Sequence, residues 1–439
     1  MKRANWGSKL GFILATAGSA VGLGAIWKFP YMAGKNGGGA FLLVYLACVF
    51  TVGIGMLLAE MIIGRAAQKS ATTAYRDLKG GLWPWAGRLS VLCSFVILSF
   101  YSVVGGWTFA YLYQSITGAA ITSNVDQLGA LFGQFIADPA QAILYTVLFL
   151  GVTMWVVLCG VEKGIERWSK VLMPLLFGLM LVLIARSLTL PGAMEGVAYF
   201  LTPDFSQINS DMVLDAMGLA MFSLSVGGGL IIAYGSYVAP ETNLSKTSLW
   251  ITLLATLACI FAGLLVLPAV FAFNVDPSAG PGLTFITMPA IFAQMPFGQL
   301  FAIAFFLLLI FAALTSSVSI LEPIVAFLID EFGFARKTAT WAAGLSVFVF
   351  SIPAALSFGV LKDFLLFGKN PFDLMDYAAS NIMLPAGGLL SALFVGWAIW
   401  PRVTQDMQAE GSARILPSFR IVCAWVSPVV IGAIWIHSL

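Results

Sequence analysis

What most constrains this chain is a succession of apolar runs long enough to cross a bilayer. A spanning helix needs roughly 20 mostly apolar residues, and that ruler finds about eleven such runs. They lie near 8–33, 38–64, 86–119, 142–160, 164–187, 212–236, 247–273, 296–329, 339–357, 372–400 and 416–437, and are called spans 1 to 11. Several exceed about 25 residues, which implies tilt or extension past the bilayer rather than extra helices. The dyad alternation of a β-barrel is absent from the sequence. With 60% of its residues hydrophobic and 10% charged, the chain lacks the polar surface a water-soluble body needs. The expected fold is an all-α polytopic membrane protein. The polar stretches between spans are at most about 15–25 residues, too short to detach a second domain, so 1–439 is read as one transmembrane domain.

The same inventory excludes several functions. A formal charge of +2, with dispersed Lys and Arg, provides no basic field for nucleic acid. The five cysteines, Cys48, Cys93, Cys159, Cys259 and Cys423, lie in apolar runs without CxxC spacing and read as small buried hydrophobes. The single histidine, His437, is two residues from the end, and there is no GxSxG or HExxH motif, so an enzyme is not expected. No obligatory protein partner is evident. Lys2, Arg3 and Lys9 precede the first span with no A-x-A site after it, so the start reads as a retained cytoplasmic segment. Arg65, Lys69, Arg76, Lys79 and Arg88 follow span 2, Lys163, Arg167 and Lys170 lie between spans 4 and 5, and Arg336 and Lys337 between spans 8 and 9. The opposite loops hold Asp126, Asp138, Glu195, Asp204, Asp211 and Asp276, and almost no Lys or Arg before Lys362 and Lys369. The positive-inside rule then puts the N-terminus in the cytoplasm and the C-terminus outside, in a bacterial-type inner membrane. The longer outer loops, 120–141 and 188–211, read as surface caps.

Two spans carry glycine clusters at mid-depth: Gly18-Ser-Ala-Val-Gly-Leu-Gly24 in span 1 and Ser223-Leu-Ser-Val-Gly-Gly-Gly229 in span 6. Each glycine costs about 1 kcal/mol inside a helix relative to alanine, so both clusters predict unwound backbone. Unwound backbone in hydrocarbon survives only where protein or a water-filled cavity satisfies it, and matching breaks in two halves of a chain mark a transporter site. The competing reading of Gly18-x-x-x-Gly22 is close helix packing. Span 8 holds Thr315-Ser316-Ser317, whose hydroxyls suit a small hard cation, or else bond the carbonyl four residues back. Tyr101 in span 3 is either a backbone-satisfied phenol or a donor aimed at a ligand carboxylate. Lys28, Glu60 and Glu322 each cost roughly 2.5–3.5 kcal/mol at mid-bilayer and must be paired or face water.

The runs Trp6-Gly-Ser-Lys-Leu-Gly-Phe-Ile-Leu-Ala-Thr-Ala-Gly-Ser-Ala-Val-Gly-Leu-Gly-Ala-Ile-Trp-Lys-Phe-Pro30 and Asn36-Gly-Gly-Gly-Ala-Phe41, with FSLSVGGG, GPGLTFITMPAIF, ALTSS and FDLMD, resemble the neurotransmitter:sodium symporter family over essentially the whole chain. The resemblance is to its bacterial amino-acid branch. It implies a five-plus-five inverted repeat, the first over 8–187 and the second over 212–400, with 416–437 appended. It also implies an amino acid and sodium held between spans 1, 3, 6 and 8. Carried over by position, one sodium site comprises the backbone oxygens of Gly18, Val21 and Ala312 and the hydroxyls of Thr315 and Ser316. The substrate ammonium falls to the carbonyls of Ala20, Phe222 and Ser223 and the Ser225 hydroxyl. Its carboxylate falls to the amides of Leu23 and Gly24 and to Tyr101, with Gly22 where monoamine carriers have an aspartate. Ile97, Tyr101, Phe222, Gly228, Ser317 and Ile320 line the side-chain pocket, and Gly228 leaves room there, which favours an apolar amino acid of medium or large size. Lys28 and Asp376 form the outer gate above Tyr101 and Phe222; Arg3 and Asp330, with Trp6 and Tyr237, form the inner gate.

The chain departs from the family at the other sodium site. Ala25 stands where a carboxamide ligand is usual, and Ala255, or Leu254 in a shifted alignment, where Asn or Asp is usual. A methyl group cannot replace an oxygen ligand, so one sodium site is expected rather than two. Leu219 and Cys259 stand at the family's chloride site beside Tyr45 and Ser223, so chloride dependence is not expected. The leading reading is a sodium-coupled amino-acid symporter with one sodium. Its rivals are a proton-coupled or sodium-independent carrier, with Glu60 or Glu322 titrating unless they cap or hydrogen-bond structurally, and a non-transporting sensor.

Overall fold

The computed structural model describes residues 4–273 and 283–438. Lys2, Arg3 and Asp276 lie outside the described residues. Among the described residues, nine helices are long and apolar enough to cross a membrane: Gly39–Ala67, Pro84–Thr117, Pro139–Leu158, Val161–Leu188, Leu244–Ala272, Gly298–Phe332, Arg336–Ala355, Pro371–Ala398 and Ala413–Ile436. These are spans 2 to 5 and 7 to 11. The first span is two helices, Lys9–Ala20 and Gly24–Lys35, bent by 52°. Span 6 is also two, Ser210–Ser223 and Leu230–Gly235. At 1.5 Å per residue these halves reach about 21 Å and about 9 Å, so neither crosses alone and together they make one span. No β-strand occurs among the described residues, only two isolated bridges. The protein is an all-α, multi-pass membrane protein.

The breaks follow from local backbone chemistry. In span 1, Val21 N–H still donates to Ala17 O at 2.8 Å, but its ψ of 55° leaves the helix. The chain restarts when Ala25 and Ile26 donate to Gly22 O at 3.1 and 3.3 Å. In span 6, Ser225, Gly227 and Gly229 have φ of 57°, 98° and 74°. That region costs L residues energy and glycine almost none, so the glycines are required there and Ser225 is the strained exception. Glu60, fully buried, accepts from Gly227 N at 2.9 Å and from Ser391 Oγ at 3.1 Å, and Ser94 Oγ donates to Gly228 O at 2.6 Å. The freed Gly227 and Gly228 peptide groups are therefore satisfied by side chains of spans 2 and 3, and Ser391 of span 10 holds Glu60 in place.

Spans 3 and 8, of 34 and 35 residues, pack side by side and carry spans 4, 5 and 9 against them. Span 1 lies against spans 5, 7 and 8. Its start is fixed by Glu166, which accepts from Gly7 N at 2.6 Å and Ser8 Oγ at 2.8 Å. The outer caps are more ordered than expected, forming helices Val125–Ala137 and Ala193–Leu201. Asn124 supplies the N-cap of the first, accepting from Gln127 N at 3.1 Å. Four cysteines are buried as expected, but Cys159, just past the end of span 4, is exposed.

Candidate functional site

Both breaks open on one cavity. Span 1 contributes Ser19, Ala20, Gly22, Leu23 and Gly24, and span 3 contributes Ile97 and Tyr101. Phe222, Ser223, Ser225 and Leu230 come from span 6, Ser316 and Ile320 from span 8, and Leu384 from span 10. Ten of the expected substrate residues are thus brought together. Gly228 and Ser317 are not. The Ser317 hydroxyl turns into the scaffold, within 2.8 Å of Thr153 Oγ1 and donating to Leu314 O at 3.1 Å. Successive helix residues point about 100° apart, so Ser316 and Ser317 cannot both face the cavity. A Cβ at Gly228 would lie 3.6 Å from both Leu230 Cδ2 and Leu384 Cδ2. The room expected beside that glycine is occupied by these two leucines, which no polar or glycine signal marked in the sequence.

The cavity's polar groups form one line through Ser316, whose hydroxyl donates to Ser19 O at 3.0 Å and bonds Tyr101. Leu23 N–H points at Tyr101 Oη, 3.4 Å away, near the start of the second half of span 1. Exposed amides at such a point favour a carboxylate. A Cβ at Gly22 would collide with Ser316 Oγ and lie 3.2 Å from Tyr101 Oη, so an aspartate cannot be housed there without displacing both. Ser225 Oγ donates to the same Ser19 O at 3.0 Å, crossing from one break to the other.

Behind the cavity lies an oxygen cluster. Thr315 Oγ1 donates to Phe311 O and Ala312 O at 3.0 Å each, and Ser316 Oγ donates to Gly18 O at 3.3 Å and Ser19 O at 3.0 Å. A Cβ at Gly18 would be 3.2 Å from both Thr315 Cβ and Met173 Sδ, so a larger residue would have to push spans 8 and 5 back by a few tenths of an ångström. The donor set is entirely oxygen and carries no carboxylate, which fits a monovalent hard cation. On the other side of the break, Ala25 and Ala255 are both buried, and span 7 packs directly against the Gly24–Lys28 turn. Tyr45 Oη is satisfied within the protein by Ser223 Oγ at 2.8 Å and Cys259 Sγ at 3.3 Å.

The profile of the sodium:neurotransmitter symporter family matches residues 3–127 and 125–439. The chain belongs to this family. It is a sodium-dependent secondary transporter, not an enzyme. A protein of Bacillus subtilis (strain 168) named as a sodium-dependent transporter is 44% identical over 395 residues, spanning 90% of this chain and 88% of its own. A human protein named as a sodium- and chloride-dependent GABA transporter 2 is 27% identical over 491 residues, covering 100% of this chain and 80% of its own. The crystal structure of MhsT in complex with L-phenylalanine superposes with a TM-score of 0.92 at 41% identity, covering 100% of both chains.

The symporter's two exits differ. Towards the Lys28 end, Tyr101 and Phe222 also floor a second, wider cavity of ≈ 280 Å3 that contains Lys28 and Asp376. The expected ion pair between these two is not formed. Lys28 Nζ sits 4.9 Å from the centre of the Phe222 ring, while Asp376 accepts from Ser380 Oγ at 2.8 Å. A compact ammonium is held well by a ring face and lacks the fork that lets arginine reach a carboxylate. Away from this second cavity, Trp6 ties the N-terminal segment to the second half of span 6. Its Nε1 donates to Tyr234 O at 3.0 Å, its N–H donates to Tyr237 O at 3.1 Å, and its ring meets Tyr234 edge-on at 5.1 Å. Asp330 accepts from Ser70 N at 2.5 Å, and Arg3, its expected partner, lies outside the described residues. Tyr237 Oη donates to Glu322 at 2.6 Å, and Glu322 is forked by Arg336 at 2.9 and 2.6 Å. Glu60 therefore braces the span 6 break, and Glu322 ties Tyr237 to Arg336.

Proposed function

We propose that the protein imports a neutral, apolar or aromatic amino acid by alternating access, coupled to one sodium. The observation that carries this is the pair of backbone breaks meeting Tyr101 and Ser316 around one mostly apolar cavity. The substrate carboxylate binds the Leu23 and Gly24 amides and Tyr101. Its ammonium binds the carbonyls of Ala20, Phe222 and Ser223 with Ser225, and its side chain lies among Ile97, Phe222, Leu230, Ile320 and Leu384. The single sodium binds Gly18, Val21, Ala312, Thr315 and Ser316, and Ala25 and Ala255 leave no second site. The L-phenylalanine held in the MhsT complex supports an aromatic or large apolar side chain. The satisfied Tyr45 hydroxyl supports independence from chloride. The two five-helix repeats, 8–187 and 212–400, move about this site, with the N-terminus in the cytoplasm.

One ion suffices energetically. A sodium crossing about 100 mV gains about 2.3 kcal/mol and a tenfold gradient adds about 1.4, roughly 3.7 kcal/mol or about 500-fold accumulation of a zwitterion. The test is uptake of labelled phenylalanine, leucine, glycine and glutamate into proteoliposomes. Accumulation of the apolar pair under an inward sodium gradient, unchanged when gluconate replaces chloride, is expected. Accumulation driven by a proton gradient in choline would overturn it.

A further inference from the structure

Away from the substrate cavity, spans 4 and 9 enclose an apolar groove with a free volume of ≈ 460 Å3. Gly151, Trp155 and Leu158 form one wall and Trp341, Leu345 and Phe348 the other. Trp155, Trp341 and Leu345 are 52%, 48% and 55% exposed, although all are large and apolar. The stretch 147–158 that lines the groove rises about 17 Å, close to the hydrocarbon depth of one leaflet, about 15 Å.

One end of this groove is basic. It closes where span 4 finishes and span 9 begins, with Arg336 Nε donating to Val157 O at 3.0 Å. Arg336 is neutralised by Glu322, but Lys337 is exposed and stands four residues before Trp341, so it heads the same helical stripe. Lys163, just beyond span 4, is also exposed. The nearby acid, Glu162, turns away towards the N-terminal segment, where a Cβ at Gly7 would lie 3.1 Å from its Cγ.

We propose that this groove holds one acyl chain of an anionic glycerophospholipid, with the phosphate end at Lys337 and Lys163. An apolar slot one leaflet deep accepts the chain, and the lysines select net negative charge over a zwitterionic headgroup. The reading does not depend on which amino acid is carried.

The test uses full-length protein stripped of lipid in detergent and titrated with phosphatidylglycerol or phosphatidylcholine of identical chains, followed by native mass spectrometry and thermal unfolding. One phosphatidylglycerol per chain, raising Tm and bound more tightly than phosphatidylcholine, is expected. Lys337→Gln should reduce that preference about fivefold, the value of one basic residue near an anionic surface. Gly151→Leu should remove binding of both lipids, since a Cβ there meets nothing within 4 Å and the side chain fills the groove. If the leucine variant does not fold, Lys337→Gln alone decides. Equal binding of the two lipids, or an unchanged preference in Lys337→Gln, overturns the proposal. So does a dimer that disappears in Gly151→Leu, which would assign the groove to a second copy.

Discussion

The corner between span 1 and Thr315 of span 8 and the corner between Gly24–Lys28 and span 7 belong to one helix break, yet their chemistry is opposite. The first collects the hydroxyls of Thr315 and Ser316 with the carbonyls of Gly18, Ser19 and Ala312. At the second, span 7 packs on the turn, and Ala25 and Ala255, one from each of these elements, are both buried alanines without an oxygen ligand. Unwinding a helix frees carbonyls on all its sides, but a cation must exchange its hydration shell for several oxygens at once. A break is therefore necessary for an ion site and not sufficient. The side chains opposite it decide.

The comparison breaks most severely at Gly22, which sits between the two corners. Gly22→Asp forces Ser316 and Tyr101 aside, an overpacking cost of about 3 kcal/mol, so substrate affinity should fall about a hundredfold in scintillation-proximity binding. Retained affinity would show that the cavity is not where substrate binds. Thr315→Ala removes one oxygen from the cluster, a charge-assisted contact worth about 1.5–3 kcal/mol, and should raise the sodium concentration for half-maximal uptake at least about tenfold. An unchanged value separates that cluster from sodium. Ala25→Asn together with Ala255→Asn sharpens the contrast by adding carboxamide oxygens to the methyl corner; the Hill slope for sodium should rise from about one towards two while either single change leaves it unmoved. The smallest effect is expected for Lys28→Ala. It breaks no ion pair and only a ring contact, so affinity should change about twofold or less, and a larger loss would mean that Lys28 and Asp376 close together during transport.

The features legible in the sequence are those whose chemistry is costly in a membrane. Glycine clusters at 18–24 and 223–229 announced the breaks because packing glycines need not cluster so densely or recur at matching places in two halves, and Thr315-Ser316 announced the oxygen cluster. Ser317 misled because adjacent hydroxyls look equivalent in one dimension and differ by about 100° on a helix. Leu230 and Leu384 were invisible because an apolar pocket wall reads like any other core residue. The anchor from Glu166 to Gly7 and Ser8, and the buried cluster of Arg65 with Glu410, join residues far apart in sequence, which no local pattern marks. Lys28 and Asp376 do line one cavity, but family position could not reveal that Phe222 takes the ammonium.

The most direct test of a single sodium cage is the sodium dependence of amino-acid binding by purified protein. L-Phenylalanine, or another apolar amino acid found by screening, is followed by thermal unfolding in sodium chloride and in choline chloride at equal ionic strength, and sodium is then titrated. One retained cage predicts stabilisation only in sodium, with apparent substrate affinity rising as about the first power of sodium concentration. Equal stabilisation in choline, or a rise with about the second power, would contradict it.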